Sequence, residues 1–189
     1  MLRRLTQNAI GLLCFTSLAL AASPPTTVVS APTQGISYLH TLPVETSPSH
    51  LHGYQLAAWY EPSSFNNTHF HILFDAGLGH WWVSGNVPNS SLYIVSVSPI
   101  FRLYLNQTRT ISPFIHCGIG LAYLSKTRLE KRNLGLHFSF QDQIGFGTTL
   151  GKNKHLSLIA GLIHYSNGSL SNRNAGITVP LFINIEYGF

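Results

Sequence analysis

The sequence predicts an all-β fold, an eight-stranded antiparallel transmembrane β-barrel, on three observations. The first is a secretory leader. Arg3 and Arg4 precede an apolar run from Ala9 to Leu20, and Ala19-Leu20-Ala21 supplies the small residues of a cleavage site, so residues 1–21 read as a signal peptide. The second is charge: only 9% of the residues are charged, against roughly 25% in soluble domains, which leaves little polar surface for a water-exposed globule. The third is a series of short strand-like runs ending on an aromatic residue, Phe189. No segment beyond the leader approaches the about 18 uninterrupted apolar residues of a membrane helix, so any span must be built from strands.

Residues 22–34 are rich in Pro, Ser and Thr and read as an extended lead-in, and the barrel is expected over 35–189. Within it, β-rich runs bounded by turn residues fall at 35–42, 54–60, 68–83, 91–104, 112–124, 136–150, 155–166 and 177–189. Eight is an even number, as closed bacterial barrels require. Alternation is clearest in the last run, where Leu181, Ile183, Ile185, Tyr187 and Phe189 share one face while Asn184 and Glu186 fall on the other. Tyr54, Trp59, Tyr60, Trp81 and Trp82 sit toward strand ends, where an interfacial aromatic girdle would place them. Pro99, in the middle of a run, suggests a bulge. Counting from the periplasm puts the loops 125–135 and 167–176 on the outer side and the Gly151–Lys154 link on the periplasmic side.

Composition narrows the function classes. The net charge is +5, of which Arg3 and Arg4 carry two, so the basic excess is too weak to argue for nucleic acid. Of the two cysteines, Cys14 lies in the leader, so Cys117 has no partner for an intrachain disulfide. His69 and His71 would share a strand face, as would His50 and His52, but neither pair has a third ligand at recognisable spacing, and no metal or cofactor is expected. Lys126, Arg128, Lys131 and Arg132 form a basic cluster in a predicted outer loop.

Chemistry points to His164-Tyr165-Ser166-Asn167. Two positions apart on a strand, His164 and Ser166 leave the same face with Cα atoms about 6.5 to 7 Å apart, so an imidazole can reach a hydroxyl. A serine nucleophile needs such a base. The spacing by itself also fits a structural hydrogen bond. No Gly-x-Ser-x-Gly elbow is present, which excludes an α/β-hydrolase.

The segments SLYIVSVSPIFRLYL (91–105), SPFIHCGIGLAYLSKTRL (112–129), FSFQDQIGFG (138–147) and HYSNG (164–168), with Asn174 to Gly176 downstream, resemble the lipid A 3-O-deacylase (PagL-like) family in order and spacing. The resemblance covers roughly residues 68–189. It implies an outer-membrane barrel that hydrolyses the ester at position 3 of lipid A in lipopolysaccharide, with Ser166 as nucleophile, His164 as base, and Asn167 and Asn174 in the oxyanion environment. The partners it implies are the lipid substrate and the outer membrane; Phe189, with Tyr187 two residues earlier, resembles the terminal strand that the outer-membrane assembly machinery recognises, and a homodimer is a further expectation.

One position departs from the family. The orienting acid falls fourteen residues after the His, and here that residue is Thr178. With the last hairpin centred on Ser171, Thr178 lies across from His164, where its hydroxyl can hold the tautomer without offsetting the imidazolium charge. Asp142 is the nearest substitute acid in topology, but a two-residue turn at Lys152-Asn153 would set Gln141 across from His164 and send Asp142 to the other face. Glu186 is eight residues beyond Thr178, about 27 Å away along a strand. Two rival readings remain: a barrel of the same fold without activity, kept for lipopolysaccharide binding or structure, and a soluble lipocalin-like barrel.

Overall fold

The computed structural model describes residues 31–42, 44, 51–108 and 110–189, so the leader and most of the lead-in lie outside the described residues. The strands in chain order are β1 (Gln34–Thr41), β2 (Leu51–Tyr60), β3 (Phe70–Val83), β4 (Ser91–Tyr104), β5 (Ile111–Leu124), β6 (Arg128–Leu129), β7 (Arg132–Asn133), β8 (Phe138–Leu150), β9 (Leu156–Ser166) and β10 (Ile177–Gly188). Eight of them close a barrel in the order β1-β10-β9-β8-β5-β4-β3-β2, every neighbouring pair antiparallel. The other two, β6 and β7, form a small hairpin inside the loop between β5 and β8, which sequence patterning leaves as plain loop because two-residue strands carry no periodicity. Both described termini and the links before β3, β5 and β9 lie at one end of the barrel (the termini end), and the loops before β2, β4, β8 and β10 at the other (the loop end).

The faces are inverted relative to a water-soluble protein. Leu56, Leu78, Val95, Val97, Ile119, Leu121, Ile144, Phe146 and Ile185 are exposed on the outer wall, while Gln55, Ser96, Ser98, Arg102, His116, Gln141, Gln143, Asn184 and Glu186 are buried inside. Period-two alternation with the apolar side outward is what a hydrocarbon solvent selects. Inside, an Arg102 Nη2 donates to both carboxylate oxygens of Glu186 at 2.6 Å, and Asn184 Nδ2 donates to the same carboxylate at 3.2 Å. Toward the loop end the lumen is filled by Trp81, Leu92, Leu124, Ile163, Tyr165, Ile177 and Val179, all fully buried, with Leu129 and Leu134 of the hairpin segment packed over them.

Several expectations need correction. Trp81 and Trp59, expected in the girdle, point into the barrel; adjacent Trp81 and Trp82 cannot both face lipid, because successive side chains alternate. The loop-end girdle is Tyr54, His80, Trp82 and Tyr93, in ring contact at 4.4 to 6.1 Å between centroids. The second strand starts at Leu51 rather than at Tyr54, so it runs through Gly53. A Cβ at Gly53 would sit 1.8 Å from the Trp81 indole, so the glycine makes room for the ring rather than ending the strand. Pro99 causes no bulge: the β4–β5 register is the same on both sides of it, and only the bond its missing N–H would make is lost. The register shift falls on β10 between Val179 and Phe182, around Pro180.

Candidate active site

On β9, Ile163 and Tyr165 are fully buried in the lumen, so His164 and Ser166 face outward, on the same side as Leu158 and Leu162. The candidate chemistry therefore sits on the lipid-facing wall, within one turn of alternation of the loop end. Ser166 is the last residue of its strand.

The register around His164 is set by both neighbouring strands. Thr178 of β10 is its direct partner on one side, as the centring on Ser171 predicts, and Thr178 Oγ1 lies 2.9 Å from His164 Nδ1. The shift around Pro180 makes this meeting possible. Ile185 and Tyr187 face outward while Asn184 and Glu186 face inward; carried back without the shift, that alternation would turn Thr178 into the lumen. On the other side the partner of His164 is Asp142, and Gln141 pairs with Tyr165. The expected two-residue turn is thus a correction: Leu150 pairs with Leu156, leaving five residues, 151–155, in the link. Its odd length moves the register by one and brings Asp142 to the outer wall beside His164 instead of away from it. Thr178, His164 and Asp142 form one row across three strands, with the side chains of directly opposed residues about 4.5 to 5.5 Å apart at Cβ.

In the tautomer whose Nδ1–H donates to Thr178 Oγ1, the lone pair of His164 is on Nε2. A Cβ placed on Gly176 would lie 2.9 Å from His164 Cε1 and 3.3 Å from Nε2, so that edge of the ring faces the loop end, the direction in which Ser166 lies. No hydrogen bond joins Ser166 to His164 among the described residues; bonds of this kind tighten in the substrate complex. Gly176, at φ +58°, has no side chain to fill the space over the imidazole and adopts a conformation other residues resist.

Asn167 and Asn174 occupy different roles. Asn167 is fully buried, its Nδ2 donating to Leu134 O at 2.6 Å and Arg173 O at 2.8 Å, and its backbone N–H donating to Asn174 Oδ1 at 3.0 Å. All its donors are committed to holding the 167–176 loop. Asn174 is exposed, and with Oδ1 engaged its carboxamide is oriented and its Nδ2 is the donor left to face a ligand.

Below the His164 row, toward the termini end, a shallow apolar trough runs across the wall. Leu162 pairs with Ile144, Ile144 with Cys117, and Cys117 with Phe101, and Ile119 and Asp142 border the trough on the loop-end side. Small Cys117 between Ile144 and Phe101 makes the depression. Sequence spacing does not reveal it, because its lining comes from four strands. Of the histidines considered as ligands, His71 Nδ1 lies 2.6 Å from Glu61, His69 Nδ1 3.2 Å from Tyr104 O, and His52 Nε2 2.9 Å from Ser84 Oγ; His50 lies outside the described residues.

A closed barrel with apolar residues outside and polar residues inside defines a class, the membrane-spanning β-barrel, and here His164 and Ser166 form a candidate site on its outer surface. The family model described as lipid A 3-O-deacylase (PagL) matches residues 49–188, and the chain belongs to that family. It is 34% identical over 120 residues to the lipid A deacylase PagL of Pseudomonas aeruginosa, a match spanning 64% of this chain and 65% of that protein. Its fold resembles the crystal structure of the outer membrane enzyme PagL, with a TM-score of 0.67, 26% identity, and 82% of this chain and 99% of that chain covered. The barrel of Neisserial surface protein A shares the fold at a TM-score of 0.51 and 12% identity, over 85% of this chain and 98% of that one. The chain is an outer-membrane β-barrel.

Proposed function

We propose that this protein hydrolyses the ester-linked acyl chain at position 3 of lipid A, with Ser166 as nucleophile and His164 as general base. The observation that carries this reading is the placement of both residues on the lipid-facing wall next to the loop end, where a membrane lipid presents its ester without leaving the bilayer. His164 Nε2 takes the Ser166 proton as Oγ attacks the acyl carbonyl, and the tetrahedral oxyanion accepts from Asn174 Nδ2. Collapse breaks the ester C–O bond, and the proton held on His164 passes to the departing sugar alkoxide. Water, deprotonated by the same imidazole, then cleaves the acyl-serine and releases the fatty acid. The trough of Leu162, Ile144, Cys117 and Phe101 holds the acyl chain against the wall.

Thr178 fixes the imidazole tautomer, and Asp142, on the opposite flank, supplies the negative charge that steadies the imidazolium. Asn167 positions Asn174 rather than donating to the oxyanion. Mass spectrometry of lipid A from cells with and without the protein tests the reading: one acyl chain is lost when the wild type is present, and Ser166→Ala abolishes the change. An unchanged pattern with wild type would instead favour the barrel without activity, the reading that Thr178 at the family's acid position supports. Two finer expectations rest on the outer wall and the last strand. Recognition by the assembly machinery rests on Tyr187 and Phe189, and is checked by deleting Phe189 and measuring membrane insertion. A homodimer would use the apolar wall of Ile36, Tyr38, Leu56 and Leu78, and crosslinking in membranes reads it.

A further inference from the structure

The β6–β7 hairpin has two faces with different work. Leu129 and its cross-strand partner Arg132 point toward the barrel. Leu129 is fully buried in the loop-end plug, and Arg132 Nη1 donates to Ala175 O at 2.8 Å and Gly176 O at 3.0 Å. The same segment accepts Ala175 N–H at Asn133 O, 3.1 Å, and Asn167 Nδ2 at Leu134 O, 2.6 Å. The hairpin is therefore bonded to the loop that carries Asn174 and to the glycine that lies over His164. Its other face presents Arg128, with Lys126 just before the strand and Lys131 in the turn; all three are exposed, as is Arg173 in the adjoining loop. Across the loops 84–90, 125–137 and 167–176 the only acidic residue is Glu130, against Lys126, Arg128, Lys131, Arg132 and Arg173. Five cations gathered on two bonded loops, beside a site on the lipid wall, are placed where an anionic headgroup at the bilayer surface would sit.

We infer that this hairpin, with Arg173, is the recognition element for the phosphate groups of the substrate glycolipid itself, and that it is built onto the catalytic loop so that headgroup docking and ester placement are one event. The inference rests on the lipid A reading. Arg and Lys side chains pair with phosphate oxygens through charge-assisted hydrogen bonds, and a phosphate monoester carries about −1.5 to −2 charge at neutral pH. The rigid spacing between Arg128 and Ser166 would then select which ester reaches the nucleophile.

The test is a binding measurement on the Ser166→Ala protein in detergent micelles, so that its outcome is independent of whether the wild type hydrolyses lipid A. Bisphosphorylated lipid A is compared with the same lipid after phosphatase treatment. The expected result is at least about tenfold tighter binding of the phosphorylated lipid, an advantage that Lys126→Gln/Arg128→Gln/Lys131→Gln removes and Lys126→Arg/Lys131→Arg retains, and that falls as salt rises. Equal binding of the two lipids, or an advantage unchanged by the triple variant, overturns the proposal. Equal binding of phosphatidic acid would assign the patch to bystander lipid phosphates and overturn the substrate assignment. Heat-dependent gel mobility verifies that each variant is folded, and Arg128→Gln with Arg173→Gln replaces the triple variant if that one does not assemble.

Discussion

His164 has a different neighbour on each side, and the two can be separated by mutation. Thr178 is bonded to Nδ1 at 2.9 Å, and Thr178→Val removes that bond while keeping the shape, so kcat should fall about tenfold, the scale of one hydrogen bond. Asp142 pairs with His164 across the other strand boundary. In a serine protease, replacing the triad acid by its amide costs about 10⁴ in kcat; Asp142 has no direct bond to the ring among the described residues, so under the proposed role Asp142→Asn should cost about a hundredfold. A kcat unaffected by Asp142→Asn would remove Asp142 from the mechanism. Asn174→Ala should lower kcat about 10²- to 10³-fold, the cost of one oxyanion donor. Asn167→Ala should lower kcat as well, and because Asn167 is buried and ties down the loop, it should also reduce resistance to proteolysis between 167 and 176. Residue types and spacing put His164 and Ser166 on one face, and the family resemblance added Thr178, Asn167 and Asn174; the different settings of the two amides were not legible, because both lie in one loop and only burial separates them.

At the level of elements, two local irregularities decide which residues meet. The five-residue link 151–155 sets the β8–β9 register, and the shift around Pro180 sets that of β9–β10. The shift puts Thr178 on the outer wall, where an uninterrupted alternation on β10 would send it inside, and the link length sets Asp142, on the outward face of β8 with Ile144 and Phe146, beside His164. Deleting one residue of the link, Asn153, should return Asp142 to the lumen side or destabilise the hairpin; a crosslink between cysteines introduced at 142 and 164 should form in the parent link and be lost in the deletion. The strands themselves were readable within a few residues, since apolar alternation and turn residues act locally. Register is not local. It depends on how many residues a link uses and on whether a proline removes a bond or adds a bulge, and Pro99 and Pro180, similar in sequence, do different things.

For the molecule as a whole, the lumen takes the place of a soluble protein's surface. Arg102 and Glu186 are both buried there and bonded at 2.6 Å. Glu186→Gln strands the guanidinium charge, which in buried pairs costs roughly 3 to 5 kcal/mol, so the variant should unfold at lower urea concentration and convert to the unfolded gel band at lower temperature. An unchanged midpoint would mean that lumen water or other acceptors satisfy Arg102. The exposed apolar wall predicts sedimentation with outer membranes and extraction only by detergent, which also separates this barrel from a soluble lipocalin-like one.

What the sequence determined by itself was the closed eight-stranded barrel, the lipid-facing alternation and the shared strand face of His164 and Ser166, because composition, periodicity and two-residue spacing are properties of single segments; the roles of the two residues came from the family resemblance. What only the tertiary structure decided was which residues flank His164 across the sheet, Thr178 on one side and Asp142 on the other. Asp142 lies 22 positions before His164 and pairs with it through the register of a closed sheet, while Trp81 turns into the lumen over Gly53 and Asn167 is buried against the carbonyls of Leu134 and Arg173. Such contacts follow from link lengths, a bulge and a shared interior, which no one segment encodes.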